Sequence, residues 1–353
     1  MKEEHAPIRG RGAAGNPPNR FEMIYQVRDS EWTDPEDPAP GTEFLKDTSK
    51  SIITYNDSPD VGFDASVNPY RGCEHGCIYC YARPTHEYLG LSAGLDFETK
   101  ILVKEDAPGL LRGELSSPRW KPQVVAVSGV TDPYQPVERR LGLTRRCLEV
   151  LAEFRNPVVI VTKNHLVTRD VDLLYELARY EAAAVFLSIT TLDGDLSRVM
   201  EPRTSHPIRR LAAIEALAQA GVPTGVMVAP VIPGLTDQAI PSIIAAAAGA
   251  GARFAGYVPL RLPHGVGSLF EQWLTQHMPE RKGKILNRIR ALRGGRLNDP
   301  HFASRMRGEG VFAEQIAALF AVACRKASIT GHGPQLSTAA FRRPPGAQLS
   351  LFA

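Results

Sequence analysis

Three of the five cysteines of this 353-residue chain, Cys73, Cys77 and Cys80, fall within eight residues at the spacing C-x3-C-x2-C. Thiolates are soft ligands suited to iron–sulfur clusters or zinc, and three on one short loop can wrap one face of a cluster. A structural zinc site takes four protein ligands. His75 lies inside the motif, squeezed between two of the cysteines, and cannot easily complete a tetrahedron with all three. Spacing alone leaves both metals open. Three cysteines leave one coordination position free, and in a [4Fe–4S] cluster that position puts one iron at the disposal of a ligand or cosubstrate. Cys147 and Cys324 fall in helical patterns and read as core residues.

The elements that must position this loop follow from hydrophobic patterning. Short apolar runs at Val124–Val127, Val158–Val161, Ala184–Ile189, Val226–Val231 and Phe254–Leu260 read as strands buried on both faces, as in a parallel sheet. Amphipathic stretches alternate with them, such as Leu141–Phe154, Val171–Tyr180 and Ile208–Ala220, the last ending at Gly221. Strands alternating with helices imply βα units in an α/β fold, either open or barrel-like. After Leu262 the strand signals stop, and Ser268–Leu292 and Val311–Ala327 read as long helices. The predicted organisation is an irregular arm over 1–60, disordered at its start, a core over 61–265, a basic helical extension over 266–332 and a flexible tail over 333–353.

Composition bounds the class of protein. With 43% hydrophobic residues the chain can build a core without disulfides, so a small metal-stapled module is excluded. No apolar run resembles a signal peptide, and the Ala/Gly-rich stretch over 240–252 is too short to span a bilayer, so a cytoplasmic protein without membrane contact is expected. The net charge of +3 is unevenly spread: Arg281–Arg343 holds 13 Lys or Arg against 3 Asp or Glu, a local +10 that leaves −7 elsewhere. Such segregation points to a polyanionic partner, with a solvated helix face as the plain alternative.

The stretch from Asn68 to Arg83, N-P-Y-R-G-C-E-H-G-C-I-Y-C-Y-A-R, resembles the cluster loop of the radical S-adenosylmethionine (SAM) superfamily. The resemblance covers residues 60–262 and is closest to the spore photoproduct lyase-like branch, the DNA repair photolyase-like proteins. It implies a partial (β/α)6 TIM-type barrel whose ligands lie at the carboxyl ends of the strands. It also implies that Cys73, Cys77 and Cys80 hold a [4Fe–4S] cluster whose remaining iron chelates SAM. Reductive cleavage then gives methionine and a 5′-deoxyadenosyl radical, with electrons from an external donor. By the same resemblance Ser128, Thr131 and Asp132 lie where the SAM amino group is contacted, and Lys163 reaches the SAM carboxylate. Tyr79 and Tyr81 flank the adenosyl site, while Ser188, Glu201 and Arg203 are further strand-end positions. Turn and cap roles are the plain alternative, since Thr131-Asp132-Pro133 is also a turn signal. One departure stands out: the lyases carry a hydrogen-donating cysteine near the end of the second strand, and Ser128–Thr131 contains none.

The chain ends Q-L-S-L-F-A, and Gln348, Leu349, Leu351 and Phe352 resemble the pentapeptide with which bacterial DNA repair and replication proteins bind the sliding clamp. The leading expectation is therefore a radical SAM enzyme, lyase-like, acting on nucleic acid. One alternative keeps the radical chemistry but takes a protein or small metabolite. Another is a non-catalytic, metal-stabilised binding protein. No second cysteine-rich segment signals an auxiliary cluster.

Overall fold

The structure, a computed structural model, describes residues 6–22 and 40–344. Among the described residues ten strands form two sheets: β1 (Glu43–Lys46), β2 (Ile53–Tyr55), β3 (Ala65–Val67), β4 (Tyr70–Arg71), β5 (Lys100–Val103), β6 (Val125–Val127), β7 (Val158–Thr162), β8 (Ala183–Ser188), β9 (Thr224–Val231) and β10 (Phe254–Pro259). The large sheet runs β10-β9-β8-β7-β6-β3-β2, so six parallel strands follow one another in chain order and β2 pairs antiparallel at one edge. Among the described residues β3 and β10 do not pair, which makes this a half-open α/β barrel. β1, β5 and β4 form a small second sheet beside it.

The apolar runs become strands because one face is fully covered and the other at least partly so: on β7 Val158 and Ile160 are buried while Val159 and Val161 are half-buried. Val125, Val127, Val158, Ile160, Val185, Leu187 and Val226 are all fully buried. The helices Leu143–Phe154, Val171–Ala178, Pro207–Gln219 and Ile240–Gly249 cover the outside, turning Leu148, Leu151, Leu174, Leu177, Ile214, Leu217, Ile243 and Ile244 inward. Sequential strands joined by helices that pack back on the sheet leave all the carboxyl ends, and so the cluster loop, at one mouth. The outer edge of β10 is capped at its start by Thr330, where Ala255 N donates to Thr330 O at 2.8 Å and Thr330 N to Arg253 O at 3.1 Å. An exposed edge would otherwise offer unpaired backbone to other chains.

Three expectations change. The helix expected over Ser268–Leu292 is two helices, Val266–His277 and Pro279–Leu292, because Pro279 has no N–H to continue the first. The arm before residue 60 is more ordered than its composition predicts, containing β1, β2 and a segment bonded to the core. The tail expected to be free from Gly333 is tied down as far as Arg343: Ser337 N donates to Glu181 O, Arg342 N to Phe154 O, and the Arg343 guanidinium to Ser117 O and Trp120 O. Phe341 packs 6.2 Å from Phe154, ring to ring. The clamp-like Gln348–Phe352 lies outside the described residues.

Candidate active site

The cysteine loop is shaped by buried polar groups beneath it. Arg83 is fully buried; its guanidinium donates to Cys77 O at 3.0 Å and Gly76 O at 3.2 Å and pairs with Glu98. Glu98 in turn accepts the backbone N–H of Gly12 at 3.0 Å and of Ala13 at 2.8 Å, so the amino-terminal segment closes the underside of the loop. On the opposite flank Gln135 accepts from Glu74 N at 2.9 Å and donates to Gly72 O at 3.2 Å. Gly76 has φ +65, and a Cβ there would stand 2.7 Å from a Glu98 oxygen, so the tight return between Cys73 and Cys77 needs glycine.

Cys73 and Cys77 are buried, Cys80 is half-buried, and all three are free thiols. Burial pushes the Cys80 thiol up to about 11 and the Cys77 thiol well above its usual range, so metal binding at these sulfurs must release protons. Among the described residues no three His, Cys, Asp or Glu side chains converge on one ion position. A cluster does not ask for that convergence, because each thiolate takes a different iron. Three thiols on one short loop fit a cubane in which each ligates one iron, leaving the fourth iron open.

The polar strand ends gather beside this loop. Lys163, just past β7, donates its ammonium to Ser188 Oγ at 2.7 Å and Ala229 O at 3.0 Å, stands 3.6 Å from Glu201, and lies 5.8 Å from the centre of the Tyr79 ring. Glu201 is fully buried and also accepts from the Tyr79 hydroxyl, from Thr190 Oγ1 at 2.7 Å and from Arg210. Burial alone would raise its pKa, but the Arg210 guanidinium and then the Lys163 ammonium reverse this and bring it down to about 2. Glu201 therefore stays ionised, and the Lys163–Glu201–Arg210 trio carries one net positive charge.

Asp132 acts as an organiser. It accepts from Thr162 Oγ1 at 2.7 Å, from Lys163 N at 2.8 Å and from Tyr134 N at 2.9 Å, and its second oxygen lies 3.4 Å from His75 Nδ1. Asn164 Oδ1 accepts from Leu166 N and Ser205 Oγ, so its amide nitrogen faces His75 Nε2 and donates to it at 3.2 Å. Burial lowers the imidazole pKa, but the Asp132 carboxylate facing Nδ1 outweighs it and raises it overall. Thr131 donates to Gly72 O at 2.6 Å, holding the loop. Ser188 is buried under Lys163, and Ser128 is half-buried at the end of β6. Arg203 lies on the loop's outer flank, paired with Glu74 at 3.2 Å and away from the Lys163 group. Tyr81 is 52% exposed, with its hydroxyl on Gly129 O at 2.6 Å.

A match to the Radical SAM superfamily model covers residues 67–247. The chain belongs to the radical SAM superfamily. As a member it is an enzyme that uses a [4Fe–4S] cluster and SAM. It is 38% identical over 262 residues to uncharacterised proteins of Mycobacterium bovis and Mycobacterium tuberculosis, covering 73% of this chain and 74% of each relative. It is 30% identical over 195 residues to an uncharacterised protein of Methanocaldococcus jannaschii, covering 55% of this chain and 70% of that one. Among solved structures a point mutant of spore photoproduct lyase matches with a TM-score of 0.56 at 16% identity, covering 82% of this chain and 80% of that one. That likeness establishes the shared radical SAM architecture.

Sequence reasoning assigned no role to Arg83, Glu98, Gln135 and Arg210, which hold the site from behind. Their signal was weak because a charged residue in an amphipathic stretch reads as solvent-facing, whereas Arg83, Glu98 and Arg210 are fully buried. The basic extension also changes meaning. Arg281 donates to Gly234 O, Arg288 stands 3.5 Å from Asp237, Arg305 pairs with Asp60, and Arg293 is spent on four backbone carbonyls. Four of the 13 basic residues of this segment thus serve contacts within the fold. Among the described residues no helix is long and apolar enough to cross a membrane.

Proposed function

We propose that this radical SAM enzyme acts on nucleic acid, in DNA repair or modification, with Cys73, Cys77 and Cys80 as the cluster ligands. The cluster and SAM supply reductive cleavage of the sulfonium and a 5′-deoxyadenosyl radical able to abstract hydrogen from the substrate. This chain's own residues position and enclose. The net positive trio of Lys163, Glu201 and Arg210 suits the SAM carboxylate, with Tyr79 held beside it. Thr131, Asp132 and Gln135 keep the loop and the β7 end in register. Ser128 and Ser188 complete the strand-end set on the same reading, and Arg203 braces the loop.

The observation that carries the substrate class is Tyr81. It directly follows the third cysteine, yet half of its surface faces solvent at the open mouth, where an aromatic face can stack on a base. An enzyme for a small metabolite would be expected to close such a ring inside its pocket. A lyase with the donor cysteine of spore photoproduct lyases is not supported: Cys147 is buried in the helix Leu143–Phe154, far into the hydrophobic core. Hydrogen return to the product must then use another donor. Clamp binding through Gln348, Leu349, Leu351 and Phe352 and delivery of electrons by an external reductant belong to the same reading.

The decisive experiment uses anaerobically reconstituted protein. Iron and sulfide analysis and dithionite-dependent SAM cleavage come first, followed by incubation with deuterated oligonucleotides. Deuterium in 5′-deoxyadenosine supports the reading. Cleavage of SAM with no label transfer and no salt-dependent oligonucleotide binding would direct the search to a protein or small-molecule substrate.

A further inference from the structure

Three arginines meet where β10 ends at the mouth, and their electrostatic accounts do not balance. Arg293 is buried and donates to Pro259 O, Leu260 O, Ser304 O and Arg305 O. Arg305 has its own carboxylate, Asp60, which also accepts Ala303 N at 2.6 Å. The other nearby acid, Asp299, is taken by the backbone and ring of His301 at 2.9 and 2.8 Å. Arg261 is left over. It is half-buried, and among the described residues it forms no salt bridge and one side-chain hydrogen bond, from NH1 to the Met306 sulfur at 3.3 Å. Its Nε is buried with no hydrogen-bond partner.

A guanidinium has five N–H donors arranged to grip an oxyanion, and leaving them unspent in a partly desolvated place is costly. Crowding adds to the cost. Burial and then the neighbouring Arg305 lower the Arg261 pKa, and burial followed by Arg261 brings that of Arg293 down to about 10. The guanidinium carbon of Arg261 sits 5.7 Å from the centre of the Tyr81 ring, one residue beyond the third cysteine. The guanidinium, with its Nε unpartnered and its NH1 on a weak thioether acceptor, therefore lies beside the ring on which a base would stack.

We infer that Arg261 is an anion-binding residue at the mouth, receiving a phosphate group of the substrate while Tyr81 receives the adjoining base. The proposal rests on the nucleic-acid reading for the identity of the anion, but an oxyanion site exists or fails independently of it. Arg293 and Arg305 act as positioning residues that raise the local positive potential without being free to bind. The geometry also assigns Met306 a role: a thioether is a weak acceptor and yields readily to a phosphate oxygen.

The test has two arms, both on the full-length reconstituted enzyme. In the first, thermal unfolding is followed with pyrophosphate against sodium chloride of equal ionic strength. The wild type should be stabilised by pyrophosphate, and Arg261→Gln should lose that response, its pyrophosphate Kd rising about tenfold or more, as loss of a charge-assisted contact implies. Arg290→Gln, which removes the same charge from a half-buried position on the helix Pro279–Leu292, should keep the wild-type response. No pyrophosphate response in the wild type, or an equal response in Arg261→Gln, overturns the inference whatever the substrate proves to be. The wild-type measurement stands even if Arg261→Gln fails to fold, and Arg261→Lys then reports whether a point charge substitutes for the fork. In the second arm, single-stranded oligonucleotide binding is measured against salt. Arg261→Gln should flatten the slope of log K against log salt by about one contact. Oligonucleotide binding absent in the wild type, with the pyrophosphate response intact, would defeat the nucleic-acid reading and leave the anion site standing.

Discussion

Lys163 stands 3.6 Å from Glu201, and the same carboxylate is gripped by the fully buried Arg210. The lysine that the sequence offers as a free cation at a strand end is thus one part of a three-charge group. Two cations around one carboxylate leave a single positive charge at the β7–β8 mouth. That matches one carboxylate of an amino-acid moiety and would be excessive if Glu201 were absent. The Tyr79 hydroxyl donates to the same Glu201, so the residue between the second and third cysteines is registered on the charge group. Loop and strand ends are one construction.

Replacing Lys163 by Met should therefore weaken SAM binding while leaving the cluster in place. Loss of a hydrogen bond to a charged group is worth about 1.5–3 kcal/mol, which is roughly 10- to 100-fold in Kd. Equilibrium binding of SAM to the reconstituted variant measures this, with iron content as the control. Unchanged SAM affinity would show that Lys163 serves only the internal pairing with Glu201.

The amino-terminal segment should govern how well the loop retains its metal. A Cβ on Gly12 would lie 1.8 Å from Gly76 O, so Gly12→Ala must push the segment off the loop and break the Gly12 and Ala13 bonds to Glu98. Glu98 would still pair with Arg83, leaving the fold intact but the loop's underside open to water. The expected outcome is a normal far-ultraviolet spectrum with faster loss of iron to a chelator, read as bleaching of the charge-transfer absorption. Equal bleaching rates in variant and wild type would remove the segment from any such role.

How much of this was legible beforehand differs by level. The strands β6 to β10 were readable because a run such as Val158–Val161 is apolar at every position and too short for a helix, although its second face, Val159 and Val161, is only half-buried. The cysteine loop was readable because its spacing is local. The Arg83–Glu98 and Arg210–Glu201 pairs were not, since each joins residues from different elements and burial is a tertiary fact. The same holds for the tail. Phe341 and Arg342 look like linker residues until the fold brings Phe154 and Glu153 beside them. Net charge was the coarsest guide, because the basic extension engages some arginines, such as Arg293, inside the structure.

Ending the chain at Pro344 should preserve stability, because the contacts made by Phe341, Arg342 and Arg343 all remain. If Gln348, Leu349, Leu351 and Phe352 bind a sliding clamp, the truncated enzyme should keep its melting temperature and its SAM cleavage but lose clamp association in surface-plasmon or gel-filtration assays. Clamp binding of equal strength with and without these residues would withdraw the clamp from the partners of this enzyme.

The Glu201 charge also predicts the acid behaviour of the metal-free protein. Its folded pKa of about 2 lies below the 4.5 of an ordinary glutamate. A carboxylate depressed on folding contributes stability that is present above its unfolded pKa and is lost as pH falls toward the folded one. Stability should therefore decline between about pH 5 and about pH 2, with Glu201 among the groups responsible. Glu201→Gln should be less stable at neutral pH, by about 3–5 kcal/mol, because Arg210 is left buried without its counter-charge. Its stability should also fall less steeply over the acid range, so the two curves converge as pH drops. Denaturant midpoints at several pH values test this, and parallel curves for the two proteins would mean that Glu201 is not held ionised by Arg210 and Lys163.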